Sequence, residues 1–484
     1  MSKHVTLTPF SRVEGDLRIK VTIDSGAVTD ARASGVMFRG FEKILRNHYP
    51  EDALVFTPRI CGICCISHSI AASSALGSIS EDFTPSRSGL IAKNIAHATE
   101  NAMSHITQFY LYFAPDLLNS KYKGLKHHDL IKSRFEPLKG KSVTEVMAER
   151  KRFIEILGLI VGKWPHTLAI HPGGITKSLE SSTIFRLRGV LASFISVVEG
   201  LITGVPVDEY LNIKTVSDLE ALYSGNEKDL PDIGLFYRFA KEAGLMEMGR
   251  GQGIFLSAGA YRQPDGSFYI PPGFWDNGLS PLDPGIITES IKYSFFNNSE
   301  DRSGPLEDFS EPKWNKPGAY SWAKAPRYGG RVVEVGALGR QVICNDGLIL
   351  DLLSRYGSTV FTRAFARLHE AVKLLSAIGS WIDQLGTEDG YYAGTSIRKD
   401  ASGMGLTEAA RGFLGHWISV EGGKIKNYQV ITPTAWNCSP RDENDNPGAL
   451  EQALIGCSIA DVENPVEIDH IIRSFDPCLV CTVH

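Results

Sequence analysis

The chain has 484 residues and a mass of 53.1 kDa, with 50 basic side chains against 55 acidic ones, a net charge of −5 and a pI near 6.2. That weakly acidic, balanced surface excludes phosphate neutralisation as the main task, so no nucleic-acid partner is expected. With 43% hydrophobic and 22% charged residues the composition excludes wholesale disorder. Length alone suggests about three domains.

In chain order, the first ten residues, Met1 to Phe10, carry neither the apolar run of a leader nor a twin arginine, so a cytoplasmic protein is expected, touching a membrane only through a partner. Asp16 to Ile23, a turn at Asp24-Ser25-Gly26, and Ala27 to Ala33 read as a hairpin. Arg32 to Asn47 reads as a short turn and then a helix whose Glu42 lies toward the apolar side of Phe38, Phe41 and Leu45.

Ser88 to Leu117 is the clearest helix. Its apolar stripe through Ile91, Ile95, Ala98, Ala102, Ile106, Phe109 and Phe113 carries Asp116 inward. His105, on the edge of that stripe, reads as a satisfied core histidine. Further helical patterns cover Val143–Gly162, Ser178–Gly204, Leu230–Glu242 and Val360–Leu385. Val190 to Val207 is the most apolar stretch, but Glu199 interrupts it and a buried helix is expected rather than a membrane span.

Gly249 to Pro317, rich in Gly, Pro, Asn and aromatic residues, reads as long irregular loops, and short strands are expected around Gly329–Val342. Gly249, Gly251 and Gly253 make too weak a dinucleotide signal without a preceding strand. The glycine-containing segment Gly403 to Ala410 reads as a loop but lacks the lysine of a phosphate cradle. No repeat and no linker interrupts the pattern. The expected fold is therefore one mainly α domain with a small β portion (α+β) over residues 1–484, with a hairpin region at about 4–34 and a loop-rich region at about 249–317.

Eight cysteines are too few for a disulfide scaffold, so clustered thiols point to metal or redox chemistry. Cys344, Cys438 and Cys457 are scattered and read as small buried hydrophobes. The others fall into two Cys-x-x-Cys pairs and one extra thiol. Arg59-Ile60-Cys61-Gly62-Ile63-Cys64-Cys65 lies near the start, and Asp476-Pro477-Cys478-Leu479-Val480-Cys481-Thr482-Val483-His484 ends the chain. Two such turns supply four sulfurs to a soft cation. Their separation, nearly the whole chain, argues against a zinc finger and for a site that closes the domain.

At these residues the sequence resembles the large subunit of nickel–iron hydrogenases, which carries Arg-x-Cys-Gly-x-Cys-x-x-x-His near its start and Asp-Pro-Cys-x-x-Cys-x-x-His at its end. Arg12-Val13-Glu14-Gly15, Phe38-Arg39-Gly40-Phe41-Glu42, Arg411-Gly412-Phe413-Leu414-Gly415-His416-Trp417 and Asn427 to Thr434 agree as well, so the resemblance spans residues 12 to 484. Within the family, Val13 to Leu17 and Trp164-Pro165-His166 look most like the cytosolic uptake branch.

The resemblance implies a nickel ion held by Cys61, Cys64, Cys478 and Cys481. Cys64 and Cys481 bridge to an iron that also carries carbon monoxide and cyanide. It implies a magnesium-like ion on Glu42, His484 and the carbonyl of Val430. Glu14 is then the first proton acceptor beyond Cys478, and Arg411 lies over the open coordination site, fixed by Asp116 and Asp476. Arg411, Thr434 and the adjoining Pro433 surround the diatomic ligands. The family precursor often carries an extension that is removed after the terminal histidine; the chain given stops at His484. Three departures, Ala410 and Ala337 where the family favours proline and the extra thiol Cys65, touch no implied ligand.

Splitting dihydrogen needs an electrophile and a base within about 3 Å of each other. The product electrons need a wire, and Cys65, Cys344, Cys438 and Cys457 have no cluster spacing. An iron–sulfur partner subunit is therefore expected, with the clusters confined to it, in a dimer or higher assembly of heterodimers. The main alternative is a hydrogen-sensing subunit of low turnover. A metal-free relative, the quinone-site subunit of respiratory complex I, is disfavoured because all four cysteines are present, and a structural zinc protein is the remaining rival.

Overall fold

The computed structural model describes residues 2–81, 83–298, 300–387 and 390–484. Two long helices form its axis, Arg87–Thr107 and Val360–Ile382, packed side by side. The first is buried almost all round, as its alternation of small and aliphatic residues allows; Ser86 caps it by accepting the Gly89 N–H at 3.0 Å. Thr359 caps the second in the same way through Thr362. A single apolar cluster runs from Phe10 to Leu479 through both helices.

The expected helices are present with different ends. Past Thr107 the first one widens into a π-turn over Gln108–Phe113 and tightens into a 3₁₀ turn over Ala114–Leu118. Lys141–Phe153 and Glu155–Val161 replace one long helix, and Ser181–Val197 with a π-turn at Val198–Thr203 covers the most apolar stretch. No helix among the described residues is long and apolar enough to cross a membrane.

Four sheet regions depart from the expectation. The N-terminal hairpin Leu17–Asp24 and Ala27–Gly35 is present, but Lys3–Leu7 adds a third antiparallel strand. Arg32 to Gly35 therefore belongs to a strand, and the helix after it shrinks to Phe41–Leu45. The region read as irregular contains two nine-residue strands, Ile254–Arg262 and Phe268–Asp276. The prolines that argued against them, Pro271 and Pro272, sit where the ladder skips Gly259, whose φ of +81° only glycine takes easily. Around Gly329–Val342 one strand, Ala325–Tyr328, is followed by a helix, Ala337–Ile343.

The segment read as a loop, Gly403 to Ala410, is mostly strand Ala401–Ala409, paired with Gly412–Glu421 and then Lys424–Ile431. Its glycines serve close packing. A Cβ on Gly405 would stand 2.0 Å from the Ala71 carbonyl, and one on Gly403 2.2 Å from Ser78 Oγ, so the strand lies directly on the Cys65–Ser78 helix. Ala410 and Arg411 form the tip between the two strands.

The chain ends are joined by backbone. Glu14 N–H donates to the Pro477 carbonyl at 3.2 Å, and Leu479 N–H donates to the Glu14 carbonyl at 2.6 Å. The position just after Glu14 needs glycine, because at Gly15 φ is +80° and a Cβ would meet Val480 N at 2.8 Å. Gly15→Ala is therefore expected to strain the junction by about 1–2 kcal/mol. Hydrogen exchange at residues 477–484 should accelerate at least fivefold, and unchanged exchange would show that the tail docks independently of this position.

Candidate metal centre

The backbone bridge delivers the two Cys-x-x-Cys turns to each other. Cys61 and Cys64 lie at the entrance of the Cys65–Ser78 helix, and Cys478 and Cys481 lie around the short helix Leu479–Thr482. The four Sγ atoms all fall within 4.8 Å of one another, and each residue is at most 5% exposed. Cys61 and Cys478 are 3.6 Å apart, Cys64 and Cys481 3.1 Å, and Cys478 and Cys481 3.1 Å.

Sulfurs bound at about 2.3 Å to a common cation stand roughly 3–4 Å apart, so the cage fits thiolate-bound metal without rearrangement. Without a cation, hydrogen bonds to Cys478 and Cys481 hold the Cys61 thiol well below its ordinary range. Cys64 is pushed up by hydrogen bonds with the same neighbours, and Cys481 chiefly by burial. Four thiolates so close need a cation.

Arg39 ties the two turns. Its guanidinium donates to the carbonyls of Ile60, Arg59 and Val480, the last two at 3.1 Å, and stacks over Phe41. Thr434 Oγ1 accepts the Cys478 N–H at 3.0 Å, and Pro433 opens the short helix that carries Thr434.

Arg411 reaches the cage from its hairpin tip. Its Nε donates to the Asp476 carbonyl at 2.9 Å, Nη2 to the Asp476 carboxylate at 3.0 Å, and Nη1 to Ser104 Oγ at 3.4 Å. Burial opposes its charge, but Asp476 and the Cys478, Cys64 and Cys61 sulfurs outweigh burial and hold the guanidinium ionised. Arg367 shares Asp476 at 3.3 Å. Glu14 completes the group: burial and then Cys61 push its carboxyl up, against the pull of Arg411.

Asp116 is buried as expected but does not fix Arg411. Its carboxylate joins Arg12 on one oxygen and Arg473 on the other. The π-turn after Thr107 rotates the end of the helix away from the stripe's projected direction, so Asp116 locks the N-terminal loop to the Val466–Phe475 helix instead.

Glu42, Val430 and His484 do meet, in a different way from the expectation. Glu42 accepts the Val430 N–H at 3.0 Å on Oε1, so the amide faces it rather than the carbonyl, and His484 Nε2 stands 3.3 Å from the same oxygen. The Lys324 ammonium donates to Glu42 at 3.2 Å, to Asp308 at 2.7 Å and to Gln429 at 2.8 Å. Burial raises the Glu42 carboxyl, but Lys324 and His484 prevail and bring it to about 2. His105 is a core histidine as read, 2.9 Å from Glu370.

Sequence reasoning missed Glu100, Ser104, Arg367, Lys324 and the role of Arg39. Glu100 accepts the N–H groups of Ile66 at 2.8 Å and Ser67 at 2.9 Å at the start of the cysteine-bearing helix, with Trp164 Nε1 at 3.0 Å and the Cys65 thiol at 3.6 Å. Burial pushes its carboxyl up to about 7. Of the five, only Arg39 carried a signal, its place inside the Phe38–Glu42 motif.

These contacts separate two aspartates. Asp116→Asn should cost about 3 kcal/mol in a denaturant melt, because Arg473 keeps only the half-exposed Asp469. Metal content should stay unchanged. Asp476→Asn should instead disturb metal loading and activity; equal effects of the two would contradict the assignment.

Comparison with known proteins agrees with this geometry. The family model described as nickel-dependent hydrogenase matches residues 39–126 and 143–484. The periplasmic [NiFeSe] hydrogenase large subunit of Desulfomicrobium baculatum is 29% identical over 99% of this chain and 94% of its own length. The uptake hydrogenase large subunit of Rhodobacter capsulatus is also 29% identical, over 100% and 95%. A solved [NiFeSe] hydrogenase from Desulfovibrio vulgaris Hildenborough superposes with a TM-score of 0.86 at 29% identity, covering 100% of both chains. A relative named periplasmic gives no support to a cytosolic branch. With its four converging thiols and a match along most of its length, the chain belongs to the nickel-dependent hydrogenase family, as an enzyme of the large-subunit type built around a nickel–iron centre.

Proposed function

We propose that this chain takes up dihydrogen, oxidising it to protons and electrons, and passes the electrons to an iron–sulfur partner subunit. The observation that carries this reading is the four-sulfur cage with the Arg411 guanidinium held against it by Asp476. Cys61 and Cys478 would hold the nickel, and Cys64 with Cys481, 3.1 Å apart, would hold both nickel and iron. When bound, the metal pair supplies the electrophile that dihydrogen alone lacks.

The chain's own residues do the rest. Arg411 and the cage walls exclude water. Glu14, whose backbone is pinned to the C-terminal motif, receives the proton at its carboxylate and moves it outward; a carboxyl raised by burial is better matched to a thiol donor. Thr434 uses its oxygen on the Cys478 amide, which leaves its hydroxyl proton to donate, and with Pro433 and Arg411 it would hold a cyanide carried by the iron. Glu42 and His484, 3.3 Å apart, are spaced to share a small hard cation such as magnesium, whose ligands at about 2.1 Å stand near 3 Å from each other. That ion would pin the last residue.

The uptake direction is supported by the name of the Rhodobacter relative. A partner is supported by an apolar patch beside Arg39. Phe38 stacks on Trp322 at 4.8 Å, Trp314 stacks on Phe295 at 5.9 Å, and Met37 (43%), Phe38 (37%) and Trp314 (72%) remain exposed.

Metal analysis and infrared spectroscopy of the purified protein test the reading. Nickel and iron in equal amounts, with carbon monoxide and cyanide bands, are expected; zinc alone refutes it. Glu14→Gln should keep both metals while lowering turnover by about 10²–10⁴-fold. Cys481→Ser should lose both metals.

A further inference from the structure

A second cavity of about 300 Å³, within the usual size for a small-molecule site, opens between the outer parts of the same two helices that carry Cys65 and Ser104. It is bounded by the Cys65–Ser78 and Arg87–Thr107 helices, by the end of strand Ile254–Arg262 and by the middle of strand Ala401–Ala409. Ser73 lies eight residues from Cys65, about 12 Å along the helix, so the cavity is separate from the metal cage. Phe83, Leu90, Phe268 and Leu406 give it apolar walls.

Two buried polar groups one helical turn apart line it. The Lys93 side chain is 7% exposed; its ammonium donates to Ser73 Oγ at 2.8 Å and to the Pro172 carbonyl at 3.2 Å, and no carboxylate among the described residues pairs with it. No Asp or Glu occurs among the described lining residues, and Arg262 adds a second cation. Burial alone pulls the Lys93 pKa down to about 7, so an anionic oxygen beside it in the cavity would restore its full charge.

His97, 1% exposed, has its Nε2 buried without a hydrogen-bond partner, while the Glu408 backbone carbonyl takes a ring N–H. Burial pushes its pKa down to about 3, so the ring is neutral; with one nitrogen donating to that carbonyl, Nε2 presents a lone pair. The cavity thus asks for an anionic oxygen at Lys93, a hydroxyl donor at His97 and a flat apolar body between the side walls.

We propose that this cavity binds a small hydroxyaryl carboxylate, with its carboxylate on Lys93, its hydroxyl donated to His97 Nε2, and its ring between Phe83, Leu90, Phe268 and Leu406. The proposal is independent of the hydrogen chemistry, since none of these residues contributes to the thiol cage.

Isothermal titration of the purified protein with 6-hydroxy-2-naphthoate tests it, with 2-naphthoate and 2-naphthol as probes that each lack one polar group. One site is expected, with both truncated probes at least about fivefold weaker, the effect of losing one buried hydrogen bond. Lys93→Met should weaken 6-hydroxy-2-naphthoate about tenfold and leave 2-naphthol unchanged, and His97→Phe should erase the advantage over 2-naphthoate. No binding by the unaltered protein, or undiminished binding by Lys93→Met, overturns the proposal. Should the Lys93 variant fail to fold, Ile70→Trp decides: Ile70 is half-buried at the rim, so tryptophan fills the cavity from a tolerant position. Binding that survives the filled cavity lies elsewhere and overturns the assignment; binding abolished in a folded Ile70→Trp supports it.

Discussion

The pairing of Glu14 with Pro477 and Leu479 is the contact on which the rest of the site depends. Two backbone hydrogen bonds are modest in energy, about 1 kcal/mol each. Their effect is positional, since they bring sequences from opposite ends of the chain into register, so that two Cys-x-x-Cys turns face each other. Arg39 then acts on both turns at once through the carbonyls of Ile60 and Val480. A guanidinium suits this task because its donors form a rigid fork, whereas an ammonium would fix distance but not orientation.

Close approach is the second constraint. The three-stranded sheet that ends in Arg411 lies against the cysteine-bearing helix with no room for side chains at Gly403 and Gly405. At the other edge of the tip, a Cβ on Gly412 would stand 2.7 Å from Gly336 N. Helix, hairpin tip and the Gly336 turn are therefore held by backbone contact, and Arg411 inherits a fixed origin. Arg340 adds to this from below: it donates to the carbonyls of Ala409 at 2.9 Å and Ala410 at 3.0 Å while its charge is met by Glu370 and Glu408. Such networks stabilise little in net terms, because desolvation offsets the attraction, but they allow few alternative arrangements.

How far the sequence was legible follows from which interactions are local. The thiol motifs, the long helices and the N-terminal hairpin are written in short-range spacing, and the structure keeps them. The strands at Ile254–Arg262, Phe268–Asp276 and Ala401–Ala409 were hidden because glycine and proline, which break strands in isolation, here allow a ladder to skip a residue or a strand to touch a helix. Asp116 was read inward correctly from the stripe, but its pairing with Arg411 came from the family resemblance, and here its carboxylate goes to Arg12 and Arg473 instead. Lys324, Glu100 and Arg367 act through partners far away in sequence, and nothing local marks them.

The chemistry of the cage also bears on how the molecule closes. Four sulfurs within 4.8 Å cannot all be thiolates unless a cation is present, and the opposed shifts of Cys61 and Cys64 express that conflict. Folding the tail without metal therefore leaves protons trapped among buried sulfurs, while folding it with metal exchanges those protons for strong bonds. The free energy of metal binding and that of docking residues 477–484 are consequently linked: each favours the other by the same amount. Arg411 enters the same balance, because its charge is held by Asp476 and by sulfurs on both turns. The closing of the two ends, the ionisation of the cage and the placement of the guanidinium are thus one cooperative event.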